Sequence, residues 1–374
     1  MSQILKLGKS SYNNCQMNFV NKNLEKITRI RGDSKTRENF LRLERNERVS
    51  QFKSNITNYI KKNISSYHLT SYPELETVYH NLAKYFRLDK EKIVITGGAD
   101  LAIKNCFELF IKPKDKVITL TPSFAMIDIY SKLFQAKQIK FNYNNNLKLN
   151  IQNILKKIDK NIKMIMISNP NNPTGTLISK KDILSMIDRA KKFNIPFIVD
   201  EVYYGFSNLT LIKEINKFNN LIIIRTFSKS FGLAALRAGY LVASKPIAKM
   251  LYKYKPMYEI NSITALTLNY MLKNKSIEKK YLKDVNKGKK FLIKNLSKLK
   301  VRFIDTHANF IHIKTKNFKC MSYLIKYLKT KRILVKSGGP GVKGFEHYIR
   351  VTLGNIKDMK KLIFHIKNKS NYLI

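Results

Sequence analysis

Between residues 92 and 243 the chain alternates short, β-branched apolar runs with longer amphipathic stretches, and that alternation leaves few folds open. The runs are Lys92–Thr96, Lys116–Leu120, Gln138–Tyr143, Lys163–Ser168, Pro196–Asp200, Leu221–Thr226 and Gly239–Ala243, all of strand length. Most are separated by stretches such as Ala99–Ile111, Phe124–Gln135 and Ser179–Phe193, whose apolar residues recur at helical spacing. Near-continuously apolar strands need cover on both faces, and a parallel neighbour needs a long crossover. The order therefore predicts an α/β fold, a mainly parallel sheet with helices on both faces. Gly97-Gly98, Pro113 with Asp115, and Asn169-Pro170-Asn171-Asn172-Pro173 mark turns between the units.

After Lys255-Pro256 the texture changes. A long Lys-rich helical stretch is predicted from about Ile263 to Leu299, then strands near Val301–Ile304 and Asn309–Lys314 and a helix near Met321–Lys329. A Gly-rich loop from Ser337 to Gly344, a strand His347–Leu353 and a helix Ile356–Lys367 follow. The first 60 or so residues are polar and weakly periodic, and no element is predicted there. A chain of 374 residues can bury the cores of two domains. The expected division is an N-terminal segment, 1–62, joining the small domain, then a large domain, 63–255, and a small α+β domain, 256–374.

Charge bears on partners. Lys and Arg number 71 against 25 Asp and Glu, a formal net charge of +46. Such a balance fits a nucleic-acid or anionic-membrane partner only if the cations gather in a stripe or arm. Here they run from end to end, in doublets such as Lys61-Lys62, Lys279-Lys280 and Lys289-Lys290, without an aromatic RNA-binding motif. No specific nucleic acid is expected, and no membrane, because no apolar run approaches about 18 residues. Three widely spaced cysteines, Cys15, Cys106 and Cys320, suit neither a disulfide framework nor a metal site. The opening residues lack a continuous signal-peptide core. A cytoplasmic location is expected.

Four segments carry chemistry. Ile93 to Asp100 reads strand, glycine turn, helix start, and such a turn brings backbone N–H groups to an anion at a helix's positive end. Ser168 to Gly175, SNPNNPTG, is a rigid connection after a strand, where an Asn amide can meet a ligand. Ile198 to Tyr203 ends a buried strand on Asp200; ligands of open α/β sheets lie outside such strand ends, so Asp200 could face a cationic ring nitrogen, or simply cap the next segment. Arg225 to Tyr240, RTFSKSFGLAALRAGY, sets Lys229 among apolar and small residues with Arg225 and Arg237 the nearest charges. Both cations and an apolar setting lower an amine's pKa, as a Schiff-base lysine requires.

Together these segments resemble the fold-type I pyridoxal-phosphate (PLP) enzymes, the class I/II aminotransferases, and most of all their histidinol-phosphate aminotransferase branch, over about Leu43 to Gly354. The resemblance implies a seven-stranded large domain with a smaller α+β domain, pyridoxal 5′-phosphate as cofactor, a small-molecule amino donor with a keto or aldehyde acceptor, and a homodimer with shared active sites. It makes Lys229 the lysine that binds PLP, Asp200 the partner of the ring nitrogen, and Arg237 with Ser228 and the turn residues Gly98, Ala99 and Asp100 the phosphate site. Tyr203 and Asn172 meet the ring oxygen, Phe124 stacks on the ring, and Tyr72 reaches the neighbouring subunit's phosphate. Arg350 of YIRVTLG holds a substrate carboxylate or phosphate, and Arg45, Asn46, Glu47 and Arg48 read the rest of the substrate.

The departures concern the substrate. Where the branch carries an N-terminal tyrosine, this chain has Leu43 to Ser50 without one, and where it carries a second arginine before the Gly-rich loop, this chain has Lys336-Ser337. Phe124 replaces a common tyrosine and Leu101 a frequent glutamate. The expected activity is transamination with a donor such as glutamate, on a substrate other than histidinol phosphate. The alternatives are decarboxylation of the threonine-phosphate type and, from another class, a non-catalytic basic nucleic-acid-binding protein.

Overall fold

The computed structural model describes residues 37–339 and 344–374. Most of the expected N-terminal segment, Cys15 and the centre of the Gly-rich loop lie outside them. In chain order the strands are β1 (Leu41–Arg42), β2 (Ile93–Thr96), β3 (Lys116–Thr121), β4 (Lys137–Asn142), β5 (Ile162–Ser168), β6 (Phe197–Asp200), β7 (Leu221–Thr226), β8 (Gly239–Val242), β9 (Phe303–Ile304), β10 (Phe310–Lys314), β11 (Ile333–Leu334), β12 (Lys336–Ser337) and β13 (Tyr348–Thr352).

Seven of them form one sheet in the order β2-β8-β7-β6-β5-β3-β4. It is mainly parallel; β8 alone runs antiparallel to its neighbours β2 and β7. Strands β2, β6, β7 and β8 are buried at every residue, which is why they read as unbroken apolar runs. The edge strand β4 is largely open and carries Lys137 and Lys140, charges that discourage pairing with another sheet. The covering helices bury the expected faces: helix Lys180–Lys191 turns Ile183, Met186, Ile187 and Ala190 inward, and Ser179 caps it by accepting from the Asp182 N–H.

A second sheet has the order β12-β13-β10-β9. One face buries Ile311, Ile313, Ile349 and Val351 with Leu292, Leu296, Leu324 and Leu362 of the helices Lys275–Lys298, Phe318–Thr330 and Ile356–Lys367. Alternation along β10 and β13 sends Phe310, His312, Arg350 and Thr352 to the other face, towards the large sheet. The short strand β1 pairs in parallel with β11, Leu41 against Ile333, which ties the stretch before the site to this side of the molecule.

One expectation needs correction. The helical stretch from Ile263 to Leu299 is two helices, Ser262–Lys273 and Lys275–Lys298. Asn274 leaves the helical conformation, with ψ at 62°, and its amide donates to the Tyr270 carbonyl, closing the first helix. The break falls where the chain passes between cores: Leu268 and Leu272 pack with the large sheet, Val285 and Leu292 with the small one. The pairs β1·β11 and β12·β13 were not expected from sequence.

Candidate active site

The C-terminal ends of β5, β6 and β7 open into a cavity of about 330 Å³, lined among others by Ala99, Asp100, Phe124, Ser168, Asn172, Asp200, Tyr203, Ser228, Lys229 and Arg237. That is where a parallel sheet leaves room for a ligand.

At one end lies a helix start. Gly98, with φ at +89°, precedes helix Ala99–Phe110, and no side chain caps the first turn. A Cβ at Gly98 would stand 3.0 Å from Arg237 Nη2, so the guanidinium packs against the turn. Gly239 lets β8 pass beneath: a Cβ there would come within 2.7 Å of the Ala99 nitrogen. Free N–H groups, a positive helix end and an arginine fork suit a phosphate dianion. The Asp100 carboxylate accepts from the Tyr130 hydroxyl at 3.0 Å.

At the cavity's centre, Asp200 is 2% exposed. Its Oδ2 accepts from Ser168 Oγ at 3.2 Å and its Oδ1 from the Val202 N–H at 3.0 Å. Asp200 thus caps the following turn and also lines the cavity. Burial pushes its carboxyl up to about 6, partly offset by those two hydrogen bonds. A cationic N–H beside it would relieve that cost.

Lys229 Nζ donates to the Asn46 carbonyl at 2.8 Å and stands 5.8 Å from the Tyr203 ring centre. Burial first, then the Arg350 charge and that of Arg237, push its amine down to about 8, against the opposing pull of Glu47 and Asp200. The expected neighbour Arg225 plays no such part. It is buried against Glu201, Nη2 to Oε2 at 2.8 Å, and stacks over Tyr204 at 3.6 Å. The nearest cation along the chain points into the core, while the larger of the two cationic influences comes from residue 350.

The rest of the site is assembled from distant stretches. Tyr203 is buried; its hydroxyl accepts from Asn46 Nδ2 at 2.9 Å, and burial pushes it up to about 12. Arg350 donates through Nη1 to Asn172 Oδ1 at 3.4 Å and through Nη2 to the Glu44 carbonyl at 3.2 Å, while its buried Nε has no partner among the described residues. Asn46, with φ at +55°, is a hub: its N–H donates to Thr352 Oγ1 and its carbonyl also accepts from Asn309 Nδ2. Arg45 and Glu47 line the cavity mouth, Glu47 paired with Arg37 and Arg42. Arg48 does not join them; its guanidinium sits between the Phe52 and Tyr281 rings, 4.1 and 4.2 Å from their centres. Tyr72 is 75% exposed and stacks on Tyr258 outside the cavity. Ser168, Asn309 and Thr352 were not singled out beforehand; Ser168 alone had a signal, as first residue of the SNPNNPTG turn.

Among the described residues no cluster of His, Cys, Asp and Glu could hold a metal, and no helix is long and apolar enough to cross a membrane.

The model of the family described as aminotransferase class I and II matches residues 38–366. The histidinol-phosphate aminotransferase of Caldanaerobacter subterraneus subsp. tengcongensis is 32% identical over 318 residues, which cover 84% of this chain and 88% of that protein. Among solved structures, the histidinol-phosphate aminotransferase of Clostridium acetobutylicum superposes with a TM-score of 0.78 at 23% identity, over 88% of this chain and 99% of that one. The L-threonine-O-3-phosphate decarboxylase of Porphyromonas gingivalis superposes with a TM-score of 0.73 at 19% identity, over 88% and 99%. These two likenesses establish a shared fold and, spanning both chemistries, do not choose between them.

Proposed function

The chain belongs to the class I and II aminotransferases, PLP-dependent enzymes, and on that premise we propose that it moves the amino group of an acidic amino acid such as glutamate to a keto or aldehyde acceptor, with Arg350 holding the substrate's acid group. The residues present fit the cofactor: an uncapped helix start beside an arginine, a buried carboxylate, and between them a lysine whose amine is held near 8.

In this reading Gly98, Ala99, Asp100, Ser228 and Arg237 hold the phosphate, Asp200 faces the ring nitrogen, Tyr203 and Asn172 face the ring oxygen, and Phe124 covers one face. Lys229 would hold the cofactor through its side-chain amine. When bound, PLP supplies an electron sink that acidifies the amino acid's Cα–H, a role that needs the ring nitrogen kept protonated by Asp200. Lys229 Nζ takes the α-proton and gives it back, which an amine neutral for much of the time near pH 8 can do. Tyr203, with its hydroxyl pushed up to about 12, stays a neutral donor.

The observation that carries the substrate reading is the unpartnered Arg350 Nε beside an Nη1 that reaches only Asn172. A planar fork with free donors suits a carboxylate. Histidinol phosphate is the compound in the relative's name; without the branch's tyrosine and second arginine, a phosphate dianion is under-paired here, and we hold it to be a poor substrate.

Tyr72 lies outside its own chain's cavity beside exposed Leu69 and Tyr258. That supports a homodimer in which Tyr72 serves the neighbouring site. We place the enzyme in the cytoplasm, and two of its cysteines, Cys106 and Cys320, are free thiols. A screen of amino donors against keto and aldehyde acceptors, scored by loss of the bound cofactor's absorption and by product analysis, tests the function. Turnover with acidic donors supports it; carbon dioxide release without transfer, or efficient histidinol phosphate turnover, overturns it.

A further inference from the structure

Across three strands of the small sheet, Lys336, Arg350 and His312 stand in one row, because the antiparallel register pairs Lys336 with Arg350 and Arg350 with His312. Directly opposed residues share a face. His312 therefore stands beside Arg350 on the face that meets the Asn172-Pro173 turn, whereas its neighbours Ile311 and Ile313 fill the sheet's own core.

The imidazole is fully buried, with the rings of Phe310, Phe345 and Tyr348 centred 5.5, 4.7 and 6.4 Å away. Gly338 leaves it room, since a Cβ there would stand 3.2 Å from Nδ1. Nε2 lies 2.8 Å from the carbonyl oxygen of Pro173, the residue after Asn172. Burial first, and Arg350 among the lesser causes, push the ring down to about 3, so it is neutral at any working pH. Facing a carbonyl, a neutral ring donates through Nε2–H, and this leaves Nδ1 a buried acceptor without a partner among the described residues. An aliphatic side chain would avoid that cost. What the histidine adds is a hydrogen bond from the strand beside Arg350 to the turn that carries Asn172, Arg350's own partner.

We infer that His312 is a positioning residue: by gripping the Pro173 carbonyl while packed beside Arg350, it fixes Arg350 and Asn172 relative to each other and so sets how the substrate's acid group is held. This rests on the reading of Arg350 given above.

The test compares His312→Leu, His312→Gln and Arg350→Lys as PLP-loaded enzymes, using steady-state kinetics with glutamate, competitive inhibition by succinate as an unreactive dicarboxylate, PLP dissociation and thermal midpoint. His312→Leu should raise the glutamate KM and the succinate inhibition constant together, by about tenfold. Its kcat should stay within about threefold and its PLP affinity should change by much less than the two substrate constants. His312→Gln, whose amide nitrogen stands about where Nε2 does and can donate to Pro173, should recover most of the loss. Arg350→Lys should raise both constants further. If Arg350→Lys leaves them unmoved, this inference and the substrate reading fall together. If Arg350→Lys moves them and His312→Leu does not, the positioning role alone is wrong. It is equally wrong if His312→Leu lowers only kcat and the thermal midpoint, or if Gln does no better than Leu.

Discussion

At the proposed cofactor end of the cleft, Ser168, Asp200, Ser228 and Lys229 come from the ends of three neighbouring strands of one sheet and the segments that follow them. At the proposed substrate end, Asn46, Asn172, His312 and Arg350 come from four separate stretches and meet only because two sheets face each other. The first end acts by burial: one carboxyl is pushed up to about 6 and one amine down to about 8. The second acts by cross-bonding, with Asn46 alone joined to Tyr203, Lys229, Asn309 and Thr352. Change at the cofactor end should abolish chemistry; change at the substrate end should alter which molecule is held.

The largest effect should come from Lys229→Ala, at least a thousandfold in kcat, since both covalent attachment and the base are lost. Borohydride reduction and peptide mass analysis should place the pyridoxyl group of the natural protein on Lys229. With the amine held near 8 rather than at 10.5, the rate of PLP capture by cofactor-free protein should rise with pH through an inflection near 8. An inflection near 10 would contradict the burial argument.

Asp200→Asn comes next. It should still bind PLP but lose about a hundredfold or more in transamination, because the ring nitrogen no longer stays protonated. Near-normal turnover would remove the electrostatic half of the contrast. Arg237→Ala should act on binding, weakening PLP affinity by about tenfold in dialysis against PLP-free buffer, with kcat at saturating PLP little changed.

How much of this was legible in the sequence follows the same divide. All seven strands of the large sheet could be read, β2, β6, β7 and β8 most plainly, because strands buried on both faces are continuous apolar runs. The break at Asn274 could not, because helical periodicity continues on both sides of it. Strands β1, β11 and β12 are two residues each, too short for any period to show. Lys229, Asp200 and the Gly98 turn sit in contiguous motifs. His312 becomes visible only when the register across β10 and β13 shows which residues share a face, and Asn309, just before β10, only through its bond to the Asn46 carbonyl. Arg225 misled, since four residues from Lys229 it pairs with Glu201 inside the core.

The smallest signal should come from mixing Tyr72→Phe chains with Lys229→Ala chains. If Tyr72 serves the neighbouring site, mixed dimers contain one intact site and regain a fraction of the natural activity. No recovery would mean that each site is built from a single chain.

The most direct test of the central claim is a single half-reaction: PLP-loaded enzyme mixed with glutamate in the absence of acceptor. One equivalent of 2-oxoglutarate per cofactor, with the amino group retained on the enzyme-bound cofactor and no carbon dioxide released, is the predicted result. Carbon dioxide in place of the keto acid, or no loss of the bound cofactor's absorption with any amino acid donor, would contradict it.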